Sequence, residues 1–110
     1  MLPGFKALKL YKGDTFAFRA TLSASGDDFD ITNYSFKSQI KEKGKSDVVS
    51  EFEYSIEDGP GGQLLLVLPA LESAKLSSTK RYEYDVQMDN DGVISTILYG
   101  PVVVVHDVSS

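Results

Sequence analysis

The segment Arg81-Tyr82-Glu83-Tyr84-Asp85-Val86-Gln87-Met88 decides the fold class, because apolar and polar side chains alternate along its whole length. A period of two is typical of a half-buried β-strand, whose successive side chains point to opposite faces of a sheet. Residues 15–22, 34–41 and 48–56 share the alternation and are rich in aromatic and β-branched residues. The dominant period therefore predicts antiparallel strands with one buried face.

Turn residues divide the chain into short strands. The predicted strands are residues 5–10, 15–22, 34–41, 48–56, 63–68, 80–88 and 93–98, the last continuing as 102–105. Most glycines and prolines lie between these strands. One short helical turn is predicted over residues 70–76, after Pro69. The pattern predicts an all-β fold, a seven-stranded antiparallel two-sheet sandwich of immunoglobulin-like type, with residues 1–110 as a single domain.

Two hairpins have a predicted register. Around Gly44, Ile40 is expected opposite Ser50, which also sets Phe36 opposite Tyr54, with both rings facing inward. At the last hairpin, Asp89 is expected opposite Val93 around a three-residue loop that ends in Gly92. That register sets Ile94 opposite Met88, Thr96 opposite Val86 and Leu98 opposite Tyr84, all facing inward.

The spacing of Leu76 and Tyr82 suggests a tyrosine corner. In immunoglobulin-like sandwiches such a tyrosine opens a strand, and its hydroxyl returns to the backbone a few residues upstream. Leu76 stands six positions before Tyr82. The alternative is that Tyr82 is an ordinary aromatic residue of the core.

Composition excludes several classes of protein. The chain has 110 residues, a net charge of −5 and one histidine. It has no cysteine, and this absence excludes disulfide scaffolds and thiolate metal sites. The acidic balance argues against a nucleic-acid binder, which needs excess lysine and arginine. The longest aliphatic runs fall far short of the ~20 residues of a spanning helix, and no signal peptide is visible. We therefore expect a protein made in a cytoplasm, with neither nucleic acid nor membrane as a partner.

Candidate catalytic and metal-binding residues all have simpler structural explanations. His106, the single histidine, stands near the end of the last strand and lacks evident partners. Asp89-Asn90-Asp91-Gly92 resembles the start of a calcium loop, but position 12 is Gly100, where that loop needs glutamate. Turn chemistry accounts for the same four residues.

Two charged clusters and one glycine-rich turn complete the candidates. Asp27, Asp28 and Asp30 are expected on an acidic loop, where a metal is the less common explanation. A small basic run is followed by acidic residues in the next strand, and a solvated, charge-paired hairpin explains this pattern better than a phosphate site does. The basic residues are Lys41, Lys43 and Lys45, and the acidic residues are Glu51, Glu53, Glu57 and Asp58. Residues 59–62 lack the Lys-Ser/Thr ending of a phosphate loop. We therefore predict no catalytic residue, no cofactor and no metal.

Two strands have more apolar surface than a small sandwich buries. Both faces of the strand at residues 63–68 are apolar. In the strand that begins at residue 93, the side chains expected to point outward are also mostly apolar. Cover could come from the N-terminal strand or the 70–76 turn, or from another subunit. The predicted protein-contact face consists of Leu65, Val67, Val93, Ile97 and Tyr99.

Several segments resemble small phage and prophage structural domains with immunoglobulin-like or baseplate-upper-protein-like β-sandwiches. The resemblance runs in order through most of the chain. It is carried by Leu10-Tyr11-Lys12-Gly13-Asp14-Thr15-Phe16, Phe29-Asp30-Ile31-Thr32-Asn33-Tyr34-Ser35-Phe36-Lys37-Ser38-Gln39-Ile40-Lys41, Tyr82-Glu83-Tyr84-Asp85-Val86-Gln87 and Tyr99-Gly100-Pro101-Val102-Val103-Val104-Val105-His106-Asp107-Val108. It implies a virion component of the tail, baseplate, neck or head decoration, assembled in the host cytoplasm. No catalytic or ligand residue is implied.

Three functions follow as hypotheses. The first is a non-enzymatic assembly protein that contacts other virion proteins and copies of itself. The second is a binding module for host-surface glycans, in which Tyr11, Tyr34 or Tyr99 would stack on sugars. The third is an enzyme built on the Asp27, Asp28 and Asp30 cluster, which would require these carboxylates to be buried in a cleft.

Overall fold

Most of the chain forms β-strands in the computed structural model, which describes residues 3–106. The strands are β1 (Gly4–Phe5), β2 (Leu8–Tyr11), β3 (Phe16–Thr21), β4 (Ser23–Ala24), β5 (Asp27–Asp28), β6 (Ser35–Glu42), β7 (Val48–Asp58), β8 (Gln63–Leu68), β9 (Tyr82–Asn90) and β10 (Val93–Val105). The helix α1 spans Ala70–Ser73 and is shorter than the turn predicted for residues 70–76. The β-rich fold class is therefore confirmed.

The strands form one curled, mixed sheet and one small hairpin. The order in the large sheet is β1-β10-β9-β6-β7-β8-β3, and β2 also pairs with β10. β4 and β5 pair separately. β1 and β2 run parallel to β10, with Gly4 opposite Leu98 and Leu8 opposite Val102, whereas the other pairs are antiparallel. The antiparallel prediction therefore fails for the N-terminal strand, which is also divided in two.

Strand β7 explains why the sheet curls. Its first part pairs with β6, from Val48 to Phe52, and its second part pairs with β8, from Glu53 to Asp58. The curl brings β3 across the core, where the ring of Phe18 lies 5.6 Å from Phe52 and 6.0 Å from Tyr84. One of the two apolar sets of β8 lines this core and is fully buried; it consists of Leu64, Leu66 and Leu68.

The β9–β10 hairpin departs from its predicted register. Asp91 and Gly92 both have positive φ, 50° and 88°, which makes a two-residue turn instead of the expected three-residue loop. Ile94 therefore lies opposite Asp89. A slip of one residue moves side chains to the other face, so that Ile94 is exposed although it was predicted inward.

A β-bulge in β10 compensates for this slip. The register shifts between Thr96 and Leu98, after which Leu98 lies opposite Val86 instead of the predicted Tyr84. The bulged residue, Ile97, turns into the core. Beyond it the alternation is regular, with Val102 and Val104 buried.

The other hairpin follows its prediction more closely. Ile40 lies opposite Ser50 in the β6–β7 ladder, as expected. The rings of Phe36 and Tyr54 are in contact at 5.5 Å, but Tyr54 is exposed although it was predicted inward. The ion pair of this hairpin joins Lys45 to Glu42 at 3.0 Å and so lies within the turn, whereas the expected partners of the lysines were on β7.

The hydroxyl contact expected of a tyrosine corner is present. The backbone N–H of Ser77 donates a hydrogen bond of 2.8 Å to the Tyr82 hydroxyl. Tyr82 and Leu76 are both buried. Tyr82 therefore fixes the start of β9 to the segment before it, in addition to filling core space.

Candidate protein-contact surface

An exposed apolar surface follows the outer face of β10 and of the N-terminal strands beside it. Alternation along the end of β10 turns Val102 and Val104 inward, whereas Tyr99, Pro101 and Val103 point outward. We name this surface the β10 strip; its residues are Phe5, Tyr11, Tyr99, Pro101 and Val103. Phe5 is 65% exposed and Val103 is 54% exposed, so neither the N-terminal strand nor α1 covers this face.

One end of the β10 strip is an aromatic pair. The rings of Phe5 and Tyr99 lie 5.5 Å apart with an interplanar angle of 77°, an edge-to-face contact. The backbone holds the pair together, because Phe5 lies opposite Tyr99 in the parallel ladder and the N–H of Lys6 donates to the Tyr99 carbonyl at 3.0 Å. The two rings are thus presented as a unit.

A buried tyrosine anchors this segment from below. The Tyr84 hydroxyl donates a hydrogen bond of 2.8 Å to the carbonyl oxygen of Lys6. Tyr84 is buried, and desolvation raises its pKa to about 12. The phenol is therefore a neutral donor at physiological pH.

Gly100 permits the close approach of the N-terminal strand. A Cβ atom at Gly100 would overlap the carbonyl oxygen of Lys6 and crowd the amide of Ala7. Glycine is required here by lack of space, and φ plays no part. The backbone at Lys6, between β1 and β2, can lie this close to β10 only because residue 100 has no side chain.

Polar residues border the strip on the side of β9 and β6. Asp85 lies opposite Tyr99 on one side and Gln39 on the other, and Gln39 donates to Glu51 at 3.1 Å. Partial burial raises the pKa of Asp85, and the nearby charge of Lys41 opposes the shift. Gln39, Lys41 and Asp85 line an open groove of about 540 Å³ together with Phe5 and Tyr99.

The other end of the strip is basic. A second cavity of about 410 Å³ has Pro101 and Val103 on one side and Lys43, Lys80 and Arg81 on the other. Its lining, which consists of described residues, contains no carboxylate. We name it the basic groove. It contrasts with the net charge of −5 of the whole chain.

The residues predicted as a contact face do not form one surface. Tyr99 and Val93 are exposed as expected, but they lie at different places on β10. Ile97 is only 7% exposed, and the prediction that it faces outward is wrong because the bulge turns it inward.

Leu65 and Val67 of β8 are half-buried. Their flanking strands supply part of the cover, since Leu65 lies between Arg19 and Ser55 in the ladders. The ion pair of Arg19 with Glu57 bridges β8 on this face. The second apolar set of β8 is therefore shielded in part by the chain itself.

Phe5, Pro101 and Val103 were not among the predicted contact residues. The run Val102–Val105 was recognisable as apolar on both faces, which could have singled out Val103. Nothing local in the sequence places Phe5 beside Tyr99, because the two residues are joined by a parallel pairing across the whole chain.

The other candidate residues stand apart from one another. Asp27 and Asp28 are exposed on the β4–β5 hairpin, and the Asp30 carboxylate accepts the N–H of Thr32 at 2.9 Å. The Asp89 carboxylate accepts the N–H of Gly92 at 2.8 Å, and His106 is exposed. Within residues 3–106, no three His, Asp or Glu side chains are grouped so that they could hold a metal ion. Asp107 and Val108 lie outside the described residues.

Comparison with known proteins yields no match, either to a protein-family model or to a curated protein. In the part of the chain that the structure describes, no helix has the length and apolar character needed to cross a membrane.

Proposed function

We propose that this chain is a structural protein of a phage particle that acts through protein–protein contacts and not through catalysis. The resemblance to phage structural domains supports the phage origin. The β10 strip supports the mode of action, because several large apolar side chains exposed on one face of a small protein are typical of a contact site, and Lys9, opposite Val103, is the charged residue among them.

The observation that carries the proposal is the exposure of Phe5, Tyr99 and Val103 on one face of β10. Aromatic residues dominate the binding energy of many interfaces, since they bury a large area at low entropic cost. The Phe5–Tyr99 pair is held in place by Lys6, Tyr84 and Gly100 before any partner arrives. Such preorganisation lowers the cost of binding.

Quantitative mass spectrometry of purified phage particles from a host that encodes the chain tests this function. We expect the wild-type chain at a fixed copy number, and Tyr99→Asp and Val103→Asp reduced at least about tenfold. Leu71→Asp is the matched control, because Leu71 lies on α1 and is 83% exposed. Absence of the wild-type chain from particles, or equal loss of all three variants, would contradict the proposal.

We propose in addition that the curled sheet is a variant of the immunoglobulin-like sandwich. The contact of Tyr82 with Ser77 and the packing of Phe18 on Phe52 across the core support this. The double pairing of β7 and the parallel strands β1 and β2 are departures from the standard arrangement. An experimental structure with two separate layers of strands is the expected result; a closed barrel would contradict it.

A glycan-binding function is the second candidate. The groove of about 540 Å³ combines the Phe5–Tyr99 rings with Gln39 and Asp85, the types of side chain that stack on sugars and bind their hydroxyl groups. Calorimetric titration with neutral and acidic oligosaccharides tests it, with Gln39→Ala as the variant that should weaken binding. This candidate would be eliminated if the wild-type chain gives no heat of binding, or if Gln39→Ala binds as well as the wild-type chain.

A further inference from the structure

A second exposed apolar site lies at the turn between β9 and β10. Val93 is 69% exposed and Ile94 is 60% exposed, and the carboxylates of Asp89 and Asp91 stand beside them. We name these four residues the hairpin tip. The positive φ of Asp91 and Gly92 holds the turn in a tight conformation. Val93 and Ile94 follow it as successive strand residues, so they are exposed on opposite faces of this end of the sheet.

The hairpin tip and the basic groove lie at opposite ends of one strand. Val93 and Val103 belong to the 13-residue strand β10, and at about 3.3 Å per residue their ten-residue separation corresponds to about 33 Å. The longest dimension of the molecule is 43 Å. A single chain therefore cannot bring its own tip into its own groove, but a second copy can.

The two sites are complementary in chemistry. The groove has an apolar side at Pro101 and Val103 and a basic side at Lys43, Lys80 and Arg81, of which Lys80 also pairs with Glu42 at 4.0 Å. The tip combines two aliphatic side chains with two carboxylates, of which Asp89 also accepts the N–H of Gly92 and lies near Lys37, while Asp91 is exposed on the turn. Opposite charges around an apolar contact favour association and fix its register. Two copies of the basic groove facing each other would instead bring like charges together.

We propose that the hairpin tip of one copy binds in the basic groove of the next, so that the chain assembles head to tail. The proposal rests on the function proposed above and names the partner as a second copy of this chain. A contact between two different surfaces is heterologous, and its repetition produces closed rings or open filaments.

Mixing two variants in solution tests this arrangement. Val93→Asp damages the tip and leaves the groove intact, whereas Val103→Asp damages the groove and leaves the tip intact. Both positions are exposed, so the variants should fold, and circular dichroism checks that they do. Leu71→Asp again serves as the control.

Analytical ultracentrifugation should show oligomers for the wild-type chain and for Leu71→Asp, and monomers for each tip or groove variant alone. An equimolar mixture of the two variants should form a discrete dimer, since one intact tip and one intact groove remain. Because the contact is partly ionic, its dissociation constant should rise at least about threefold between low and physiological salt.

Two results would overturn head-to-tail assembly. If Val93→Asp assembles like the wild-type chain while Val103→Asp does not, the groove binds something other than the tip. If the wild-type chain stays monomeric at high concentration, the partner is not a second copy. Either result leaves the presence of the chain in phage particles to be decided by the mass-spectrometric test, so that the two proposals can fail separately.

Discussion

The Tyr84 hydroxyl and the Lys6 carbonyl, 78 residues apart in the chain, are joined by a hydrogen bond of 2.8 Å. This bond fastens the N-terminal strand to the centre of the sheet, directly below the Phe5–Tyr99 pair. The aromatic end of the β10 strip therefore depends on a buried residue that does not itself belong to the surface.

Tyr84→Phe should destabilise the fold by about 1 kcal/mol, because the Lys6 carbonyl loses its side-chain partner. The measurement is a denaturant titration followed by circular dichroism. Hydrogen exchange at Lys6 should become faster as the strand loosens, while exchange in β8 stays the same. Equal acceleration in both places would indicate a general loss of stability and no local anchoring role.

The raised pKa of Tyr84 predicts a loss of stability in alkali. The unfolded phenol ionises near pH 10 and the folded one near 12, so the folded state retains its proton longer. The contribution of the Tyr84 phenol to the free energy of unfolding is complete below pH 10, and it falls by about 1.4 kcal/mol for each pH unit between 10 and 12. Urea midpoints measured from pH 8 to 12 should show a decline that is smaller in Tyr84→Phe. Parallel curves for the two proteins would refute the assignment.

Gly100→Ala should displace β1 and β2, because the added methyl group overlaps the Lys6 carbonyl. Overpacking of this kind costs about 1–3 kcal/mol. Gly44→Ala is a useful comparison, since Gly44 has positive φ but open space around its Cβ position. Both variants should lose stability, but only Gly100→Ala should change the chemical shifts of Phe5 and Tyr99.

Tyr82→Phe should cost about 1–2 kcal/mol, because the Ser77 N–H is left without its acceptor while the ring remains in the core. Thermal unfolding followed by calorimetry measures the effect. Tyr54→Phe is the control, since its hydroxyl lies on an exposed residue and should change the unfolding temperature little. Similar effects in both variants would reduce Tyr82 to an ordinary core residue.

Asp85→Asn should stabilise the protein at neutral pH. Partial burial disfavours the ionised carboxylate and raises its pKa above the usual 3.8. The contribution of Asp85 is therefore complete below that value and is lost as the pH rises through the folded pKa. The advantage of the asparagine variant, measured as a denaturant midpoint, should disappear in acid. An advantage that persists unchanged at low pH would point to another cause.

Much of the strand pattern could be predicted from alternation alone. The limits of β8 were predicted correctly, and the pairing of Ile40 with Ser50 followed from the cross-strand pattern around Gly44. These features depend on neighbouring residues, whose periodicity is visible in the sequence.

The failures have a common origin in geometry that is not local. The β9–β10 register depends on whether Asn90 belongs to the strand or to the turn, and this one residue reverses the face of Ile94, while the bulge between Thr96 and Leu98 accounts for Ile97. The parallel pairing of Phe5 with Tyr99 joins distant segments, and no local pattern records it. Of the predicted contact residues, Tyr99 is therefore exposed as expected, whereas Ile97 is turned into the core.

Strand β7 is bonded to β6 along one part and to β8 along the other, so no flexible linker separates the two regions of the sheet. Slow amide exchange in β6 and β8 should consequently report the same global opening event. A pulling force applied to the two ends of the molecule should therefore meet one cooperative unit, which unfolds in a single step and does not extend in stages.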